Sequence, residues 1–232
     1  MVNLLDFLFP KYCVNCKKYG GYLCANCFTR ISFDTKNICL VCGKGSYDSL
    51  THPNCLKKYS IDGAFTCIVY SFVAKKLVYR FKYKPYVRNL GSFLGDFMYE
   101  SLIQNEEYMN VIKKDVVFVP IPLSEHKLRR RGFNQAEVLA KDLSKRFGYS
   151  IFDCLVRKRD TKTQVGLTKI ERKENVKGAF ELNNKFSANF KNPRVILVDD
   201  VLTTGSTFSE IASVLKHYGA REVWAVALAK ES

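Results

Sequence analysis

The stretch VILVDDVLTTGST (residues 195–207) places two adjacent carboxylates, Asp199 and Asp200, between an apolar run and a turn of small polar residues. The turn comprises Thr203, Thr204, Gly205, Ser206 and Thr207. Because it precedes a predicted helix, its backbone N–H groups and the positive end of the helix dipole would favour a phosphate. The carboxylates suit sugar hydroxyls or a hydrated Mg²⁺, so the stretch predicts a sugar-phosphate site with both acids as catalytic candidates. A plain helix cap with incidental acids is the alternative.

A second set of reactive residues lies near the start of the chain. Four potential ligand pairs share a two-residue spacing: Cys13 and Cys16, Cys24 and Cys27, Cys39 and Cys42, and His52 and Cys55. Each step lets two side chains converge on one ion, so four steps fit two structural zinc sites, filled by protein ligands alone. Consecutive and interleaved pairing both remain open, and His52 is the weakest candidate. A disulfide scaffold is the alternative, and it requires an oxidising compartment.

Two parts of the chain must position these residues, with a predicted boundary near Tyr59. Residues 1–59 have too little apolar surface to fold without metal. Across residues 60–232, apolar strand patterns such as DVVFVPIP, RVILV and VWAVALA alternate with helical patterns. This alternation predicts an α/β fold with a parallel sheet and helices on both faces. Ligands bind beyond the carboxyl ends of such strands, where we expect Asp199 and Asp200. Cys67 is predicted to be a core residue.

The net charge of the chain indicates which classes of molecule it could bind. The formal net charge of +15 favours nucleic acid or phosphorylated small molecules, although a well-solvated lysine-rich surface is the alternative. The apolar start MVNLLDFLFP is interrupted by Asp6 and is not followed by a cleavage site. No stretch approaches the roughly 20 apolar residues that a membrane span needs. The sequence therefore predicts a cytoplasmic protein without membrane insertion.

VILVDDVLTTGST closely resembles the phosphoribosyl-pyrophosphate (PRPP) signature of type I phosphoribosyltransferases. The resemblance extends along the chain through LLDFLFPKYCVNC, the paired cysteines, FKYK, VPIPLSEHKLRRRGFNQAEVLA and TKTQVGLTKIERKENVKGAF. In this order the motifs are similar to those of the competence protein F family. That resemblance implies a double zinc ribbon, then a type I phosphoribosyltransferase-like domain that would take PRPP with Mg²⁺. It also implies a role in natural transformation, in handling single-stranded DNA.

The same resemblance suggests roles for two further segments. LSEHKLRRRGFNQ takes the place of the pyrophosphate loop, with Lys127 and Arg131 as candidate ligands. RKRDTKTQVGLTKIERKENVKG has the character of a mobile lid, in which Gln164, Arg172 and Asn175 fall at recurring family positions. Ordinary polar loops are the alternatives, and the basic segment could instead contact a DNA backbone.

Three functions remain open. We favour a DNA-uptake protein that binds single-stranded DNA and PRPP or a related sugar phosphate, and that could work with other DNA-uptake proteins. An active phosphoribosyltransferase is the second. Its acceptor substrate is not indicated by the sequence, and residues 61–110 are expected to form the hood that covers the acceptor. A zinc-ribbon interaction protein with a relict pocket is the third. YRFKYKPYVR interleaves aromatic rings with Arg80, Lys82, Lys84 and Arg88, which suits stacked bases and phosphates, although an amphipathic helix explains it equally.

Overall fold

The computed structural model describes residues 10–83, 88–113, 115–161, 168–183, 185 and 192–231. Lys84, Gln164 and the apolar start up to residue 9 lie outside the described residues. The elements run in the order α1 (Ala25–Phe28), β1 (Gly63–Val69), α2 (Phe72–Tyr83), α3 (Arg88–Ile103), α4 (Glu106–Ile112), β2 (Val117–Pro120), α5 (Glu125–Arg131), α6 (Gln135–Phe147), β3 (Leu155–Arg157), α7 (Lys169–Val176), β4 (Phe180–Leu182), β5 (Arg194–Leu202), α8 (Ser206–His217) and β6 (Glu222–Lys230).

The main sheet is parallel and has the strand order β1-β6-β5-β2. Its central strand β6 is buried at seven consecutive positions, because helices cover both faces of the sheet. Adjacent strands are held in register by pairs such as Leu197 with Ala225. The short strand β2 ends at Pro120, which cannot donate to a central ladder. The predicted parallel α/β sheet is confirmed.

Two hydrophobic clusters flank this sheet. One contains the buried faces of α2, α3 and α4 and most of that of α6, including Leu77, Met98 and Leu143. The other contains the buried face of α8 and the antiparallel pair β3–β4, including Ile211 and Phe180. Helices therefore lie on both faces, as predicted. Cys67 is fully buried in the first cluster, as expected.

The structure differs locally from the sequence predictions near the site. Strand β5 continues through both aspartates to Leu202 instead of finishing before them, because β6 offers ladder partners as far as Lys230. The basic segment predicted as the pyrophosphate loop contains helix α5, which ends at Gly132 in the left-handed conformation. The predicted lid, residues 157–178, contains helix α7 and is flanked by the short pair β3–β4, whose three-residue strands are too brief to carry a periodic signal.

The two cysteine-rich units dock at different places. We call residues 13–27 ribbon 1 and residues 39–55 ribbon 2. Ribbon 1 lies on the helical layer, where the ring of Phe28, at its C-terminal edge, stacks on that of Phe97 with centroids 5.7 Å apart. Ribbon 2 joins the start of β1, with the amide of Ala64 donating to the carbonyl of Ser49 at 2.9 Å. None of the helices described here is long and apolar enough to cross a bilayer.

Candidate functional site

A polar cavity of about 420 Å³ lies beyond the carboxyl ends of β2 and β5. Such a volume is within the usual range for small-molecule sites. The lining carries six basic side chains and three acidic ones: Lys82, Lys127, Arg130, Arg131, Arg157 and Arg172, with Asp199, Asp200 and Glu231. Because cations outnumber carboxylates two to one, the cavity suits a ligand with several negative charges.

The two aspartates at the floor of this cavity have opposite electrostatic environments. Burial would raise the pKa of Asp200, but Lys82, whose Nζ lies 2.5 Å from Oδ2, holds it below its usual range. Burial and the neighbouring charge of Asp200 raise the pKa of Asp199 well above its usual range. The Asp199 carboxylate accepts a 2.8 Å hydrogen bond from the Asp200 amide. Asp200 therefore stays ionised. The charged form of Asp199 is the less stable of the two, so Asp199 is stabilised most by a ligand that donates hydrogen bonds to it.

The turn after β5 forms the next wall. Gly205 is the N-cap of α8 and has a φ of 74°, a left-handed conformation that glycine adopts without strain. Because Gly205 has no side chain, it places no capping group over the first amides of the helix. Ser206 and Thr207 line the cavity together with Thr203. Thr204 instead lines the neighbouring cleft, with its hydroxyl 2.9 Å from that of Ser206.

Basic side chains from α5 face this turn across the cavity. Arg131 donates to Gln135 Oε1 at 2.6 Å, and its guanidinium lies 5.2 Å from the ring centre of Tyr83. Burial, together with the charges of Arg157 and Arg131, lowers the pKa of Lys127. This crowding of like charges favours an anionic ligand, which would neutralise them. Arg129 lies outside the cavity lining and pairs with Glu125 at 3.0 Å.

Sequence reasoning missed several residues of the cavity. Arg157, at the end of β3, donates to the hydroxyl of Thr161 and lies 5.1 Å from the ring centre of Phe180. It stood in the predicted lid with no pattern to set it apart from its basic neighbours. Lys82 was predicted as a candidate for nucleic-acid phosphates, whereas the structure pairs it with Asp200. Arg172 does reach the cavity and lies 3.6 Å from Glu231, whereas Gln164 is outside the described residues.

The eight metal-ligand candidates group in chain order, which excludes interleaved pairing. Each set of four places its ligand atoms within 4.8 Å of one another: Cys13, Cys16, Cys24 and Cys27 in ribbon 1, and Cys39, Cys42, His52 and Cys55 in ribbon 2. The sulfurs of Cys16 and Cys24 are 3.5 Å apart. Tetrahedral zinc with Zn–S bonds of about 2.3 Å would separate two sulfurs by about 3.8 Å. The donor sets and their spacing therefore fit zinc.

Surrounding groups prepare these ligands. Nε2 of His52 lies 2.8 Å from the carbonyl of Gly45, which can only accept, so Nε2 carries the proton and Nδ1 is left for the metal. Nδ1 lies 3.4 Å from the sulfur of Cys42. Burial opposes ionisation of the Cys13 thiol, yet backbone amides, led by that of Cys16, lower its pKa to about 6. Similar amide contacts lower the pKa of Cys39 to about 7. The first cysteine of each ribbon is thus predisposed to ionise.

Ribbon 2 approaches the polar cavity without lining it. A cleft runs beside it, walled by residues 34–38 and by Gly43 and Gly45. This cleft shares Arg172, Thr203 and Glu231 with the cavity, so the two spaces adjoin. The expected hood from residues 61–110 does contribute Tyr70, Lys82 and Tyr83. The chain before residue 59 contributes one wall of the adjoining cleft, which sequence reasoning did not foresee.

Comparison with known proteins agrees with both parts of the fold. Residues 4–56 match the double zinc ribbon domain, and residues 133–232 match the phosphoribosyl transferase domain. Competence protein F of Haemophilus influenzae is 33% identical over 242 residues, covering 99% of this chain and 100% of that protein. Competence protein ComFC of Streptococcus pneumoniae is 28% identical over 74% of this chain and 76% of its own length. DNA utilization protein YhgH of Escherichia coli is 40% identical over 46% of each chain. The chain therefore belongs to the competence protein F family.

Proposed function

We propose that this chain binds PRPP, or a related phosphoribosyl ligand, in the cavity at the end of β5 and binds single-stranded DNA on a separate surface. One observation carries the proposal for the sugar phosphate. An acid pair of which Asp200 is buried, a glycine-capped helix N-terminus and six basic side chains line one cavity. Sugar hydroxyls, a terminal phosphate and a pyrophosphate are the three groups that these elements complement.

Each wall has a role in this assignment. The turn with Gly205 would hold the 5-phosphate through the first amides of α8 and the hydroxyls of Ser206 and Thr207. Asp199 and Asp200 would accept hydrogen bonds from the ribose hydroxyls, and Lys82 keeps Asp200 charged for that purpose. Lys127, Arg131 and Arg157 would face the pyrophosphate. Mg²⁺, when bound with the ligand, would neutralise part of the pyrophosphate charge.

A second surface suits nucleic acid, and we call it the aromatic–basic surface. It lies where α2 meets ribbon 1 and comprises Lys17, Phe72, Lys75, Lys76, Tyr79 and Arg80. Phe72 and Tyr79 are 68% and 63% exposed, so both rings are accessible for stacking. Lys76 Nζ lies 4.2 Å from the ring centre of Phe72. Exposed rings among cations provide the stacking and phosphate contacts that single strands use.

Helix α2 separates the two proposed sites. Phe81 is fully buried in the core, whereas Lys82 enters the cavity and Tyr79 faces outward. The amphipathic interpretation and the nucleic-acid interpretation of this segment are therefore compatible. The names of the relatives, which refer to competence and DNA utilization, support a DNA-uptake role for both activities. Restoration of transformation in a Haemophilus influenzae strain that lacks competence protein F would test that role.

Phosphoribosyl transfer is the second candidate function. The cleft beside ribbon 2 adjoins the cavity through Arg172, Thr203 and Glu231, so it offers room for an acceptor next to the bound sugar. In this reaction the acceptor would form a bond to the ribose as pyrophosphate leaves. Asp199 and Asp200 would hold the ribose while the surrounding cations stabilise the departing charge.

One experiment tests these proposals together. Purified protein is titrated calorimetrically with PRPP in Mg²⁺, then with single-stranded DNA, and pyrophosphate release is measured in parallel. We expect saturable binding of each ligand and little competition between them, because the proposed surfaces are distinct. Absence of PRPP binding would remove the sugar-phosphate assignment. Pyrophosphate release only in the presence of an added amine or base would establish transfer.

A further inference from the structure

The residue that follows the first cysteine of each ribbon is buried, but in different surroundings. Val14 in ribbon 1 lies in the cluster formed by the helical layer. Leu40 in ribbon 2 lies in the opposite cluster, with Leu202 and Phe208. We call residues 203–207 the phosphate turn. Leu202 precedes this turn and Phe208 follows it, so Leu40 packs in the same cluster as the residues at both of its ends.

Leu40 touches the turn at its most restricted position. A Cβ atom built on Gly205 would lie 2.8 Å from Cδ2 of Leu40 and 3.2 Å from its Cβ and Cδ1. Real Cβ atoms do not approach carbon so closely, so the leucine occupies the space where a larger residue would project. Glycine is therefore required at position 205 for two reasons: the backbone has a left-handed φ, and Leu40 of ribbon 2 leaves no room for a side chain.

The metal-binding loop fixes the position of this leucine. Cys39 and Cys42 enclose it, and the amide of Gly43 donates to the carbonyl of Cys39 at 2.8 Å. Ribbon 2 is in turn attached to the sheet, since the amide of Thr51 donates to the carbonyl of Asp62 at 2.8 Å. A loop of this size holds its shape only while its ligands share an ion. A continuous series of contacts therefore joins the metal site to the phosphate turn.

We propose that Leu40 is a positioning residue for the phosphate turn, so that the metal in ribbon 2 sets the affinity of the cavity for a phosphate monoester. The inference rests on the proposed sugar-phosphate function. Leu40 does not line the cavity, so it acts through Gly205 and not on the ligand. Amides that are already held in the bound geometry bind an anion more tightly, because less ordering is required on binding.

The test compares Leu40→Ala with two controls. Val14→Ala truncates the equivalent residue of ribbon 1, and Val41→Ala truncates the exposed neighbour of Leu40. Hydrogen exchange at residues 204–208 and titration with ribose 5-phosphate are measured for each variant, after zinc analysis has confirmed two ions. We expect Leu40→Ala to speed exchange at the turn and weaken binding about tenfold, or about 1.4 kcal/mol. Both controls should match the wild type at the turn.

Two additional variants protect the test. Leu40→Met conserves volume and should restore slow exchange and tight binding. Leu40→Val replaces Leu40→Ala if the latter does not fold. Unchanged exchange at the turn, or an equal effect of Val14→Ala, would overturn the inference. If wild-type protein does not bind ribose 5-phosphate, the proposed function fails, whereas the exchange measurements still decide whether ribbon 2 holds the turn.

Discussion

The two zinc ribbons share the two-residue spacing within each ligand pair, yet they connect to different parts of the molecule. In ribbon 1, Asn15 donates to the sulfur of Cys27 at 3.3 Å and accepts from Lys76 of α2 at 3.0 Å. Ribbon 1 therefore contacts the aromatic–basic surface, to which Lys76 belongs. In ribbon 2, Leu40 contacts Gly205 in the turn after β5.

Two residues between the first ligand pair of each ribbon contribute to this difference. The first loop is Cys-Val-Asn-Cys in ribbon 1 and Cys-Leu-Val-Cys in ribbon 2. A polar residue at the third position links ribbon 1 to a lysine on α2. A larger apolar residue at the second position lets ribbon 2 fill the space over a glycine. Equivalent metal modules can thus support different sites through the side chains that flank their ligands.

The largest expected effect follows from loss of one metal. We expect Cys55→Ser to lower the zinc content from two ions to one and to weaken PRPP binding by about a hundredfold or more, since structural zinc supplies much of the folding free energy of such modules. Cys16→Ser should also lose one ion but retain most PRPP binding. Metal analysis and calorimetry check both variants. Equal loss of PRPP binding in the two variants would contradict the division between the ribbons.

Changes to the acid pair should affect only the site next to ribbon 2. Charge-assisted hydrogen bonds contribute about 1.5–3 kcal/mol each, so replacing both Asp199 and Asp200 with Asn should weaken PRPP binding on the order of a hundredfold. DNA binding should be unchanged or slightly tighter. Calorimetric titration with both ligands, with a melting curve to check folding, makes the comparison. Undiminished PRPP binding would refute the assignment of the acids.

The single substitutions Asp199→Asn and Asp200→Asn should change the stability of the protein in opposite directions. The folded pKa of Asp199 is raised, so the native state binds more protons than the unfolded state above the unfolded pKa. Stability therefore falls as the pH rises through that interval, and Asp199→Asn should raise the melting temperature at neutral pH. Asp200→Asn leaves Lys82 buried without its partner and should lower it. Thermal unfolding at several pH values decides the signs.

The aromatic–basic surface should respond independently of the cavity. Base stacking on an aromatic ring contributes about 1–3 kcal/mol, so Phe72→Ala and Tyr79→Ala should each weaken binding of single-stranded DNA about tenfold. PRPP affinity should remain that of the wild type. A fluorescence titration with an oligonucleotide checks this, with Tyr47→Ala, an exposed ring of ribbon 2, as the matched control. An equal effect of the control would show that the binding surface has been misplaced.

The smallest effect concerns a backbone position that the ribbons share. Lys17 has a φ of 65° where ribbon 2 has Gly43 at 80°. Lys17→Gly should remove the left-handed strain and raise the melting temperature by about 1–2 °C. It should also lower the salt slope of DNA binding by about one if Lys17 contacts a phosphate. Titration at several salt concentrations gives that slope, and an unchanged slope would exclude the lysine from the interface.

Much of the candidate site could be predicted from the sequence because its elements are contiguous. The strand, acid pair and turn follow one another within residues 195–207, and the ligand pairs recur at a fixed step, so local patterns identify them. Residues that join the site from elsewhere were missed or misassigned. Arg157 stood among similar basic residues, and Lys82 looked like part of a surface stripe. Neither has a local pattern that indicates the direction of its side chain.

Spacing along the chain was enough to predict the parallel α/β sheet, the eight metal-ligand candidates and the position of the acid pair and its polar turn. The folded structure was needed to show which ligand candidates lie together, which cations surround the acids, and where each ribbon docks. These depend on contacts between residues far apart in sequence. The pairing of Lys82 with Asp200 and the contact of Leu40 with Gly205 each join distant segments, and packing of the whole core brings them together.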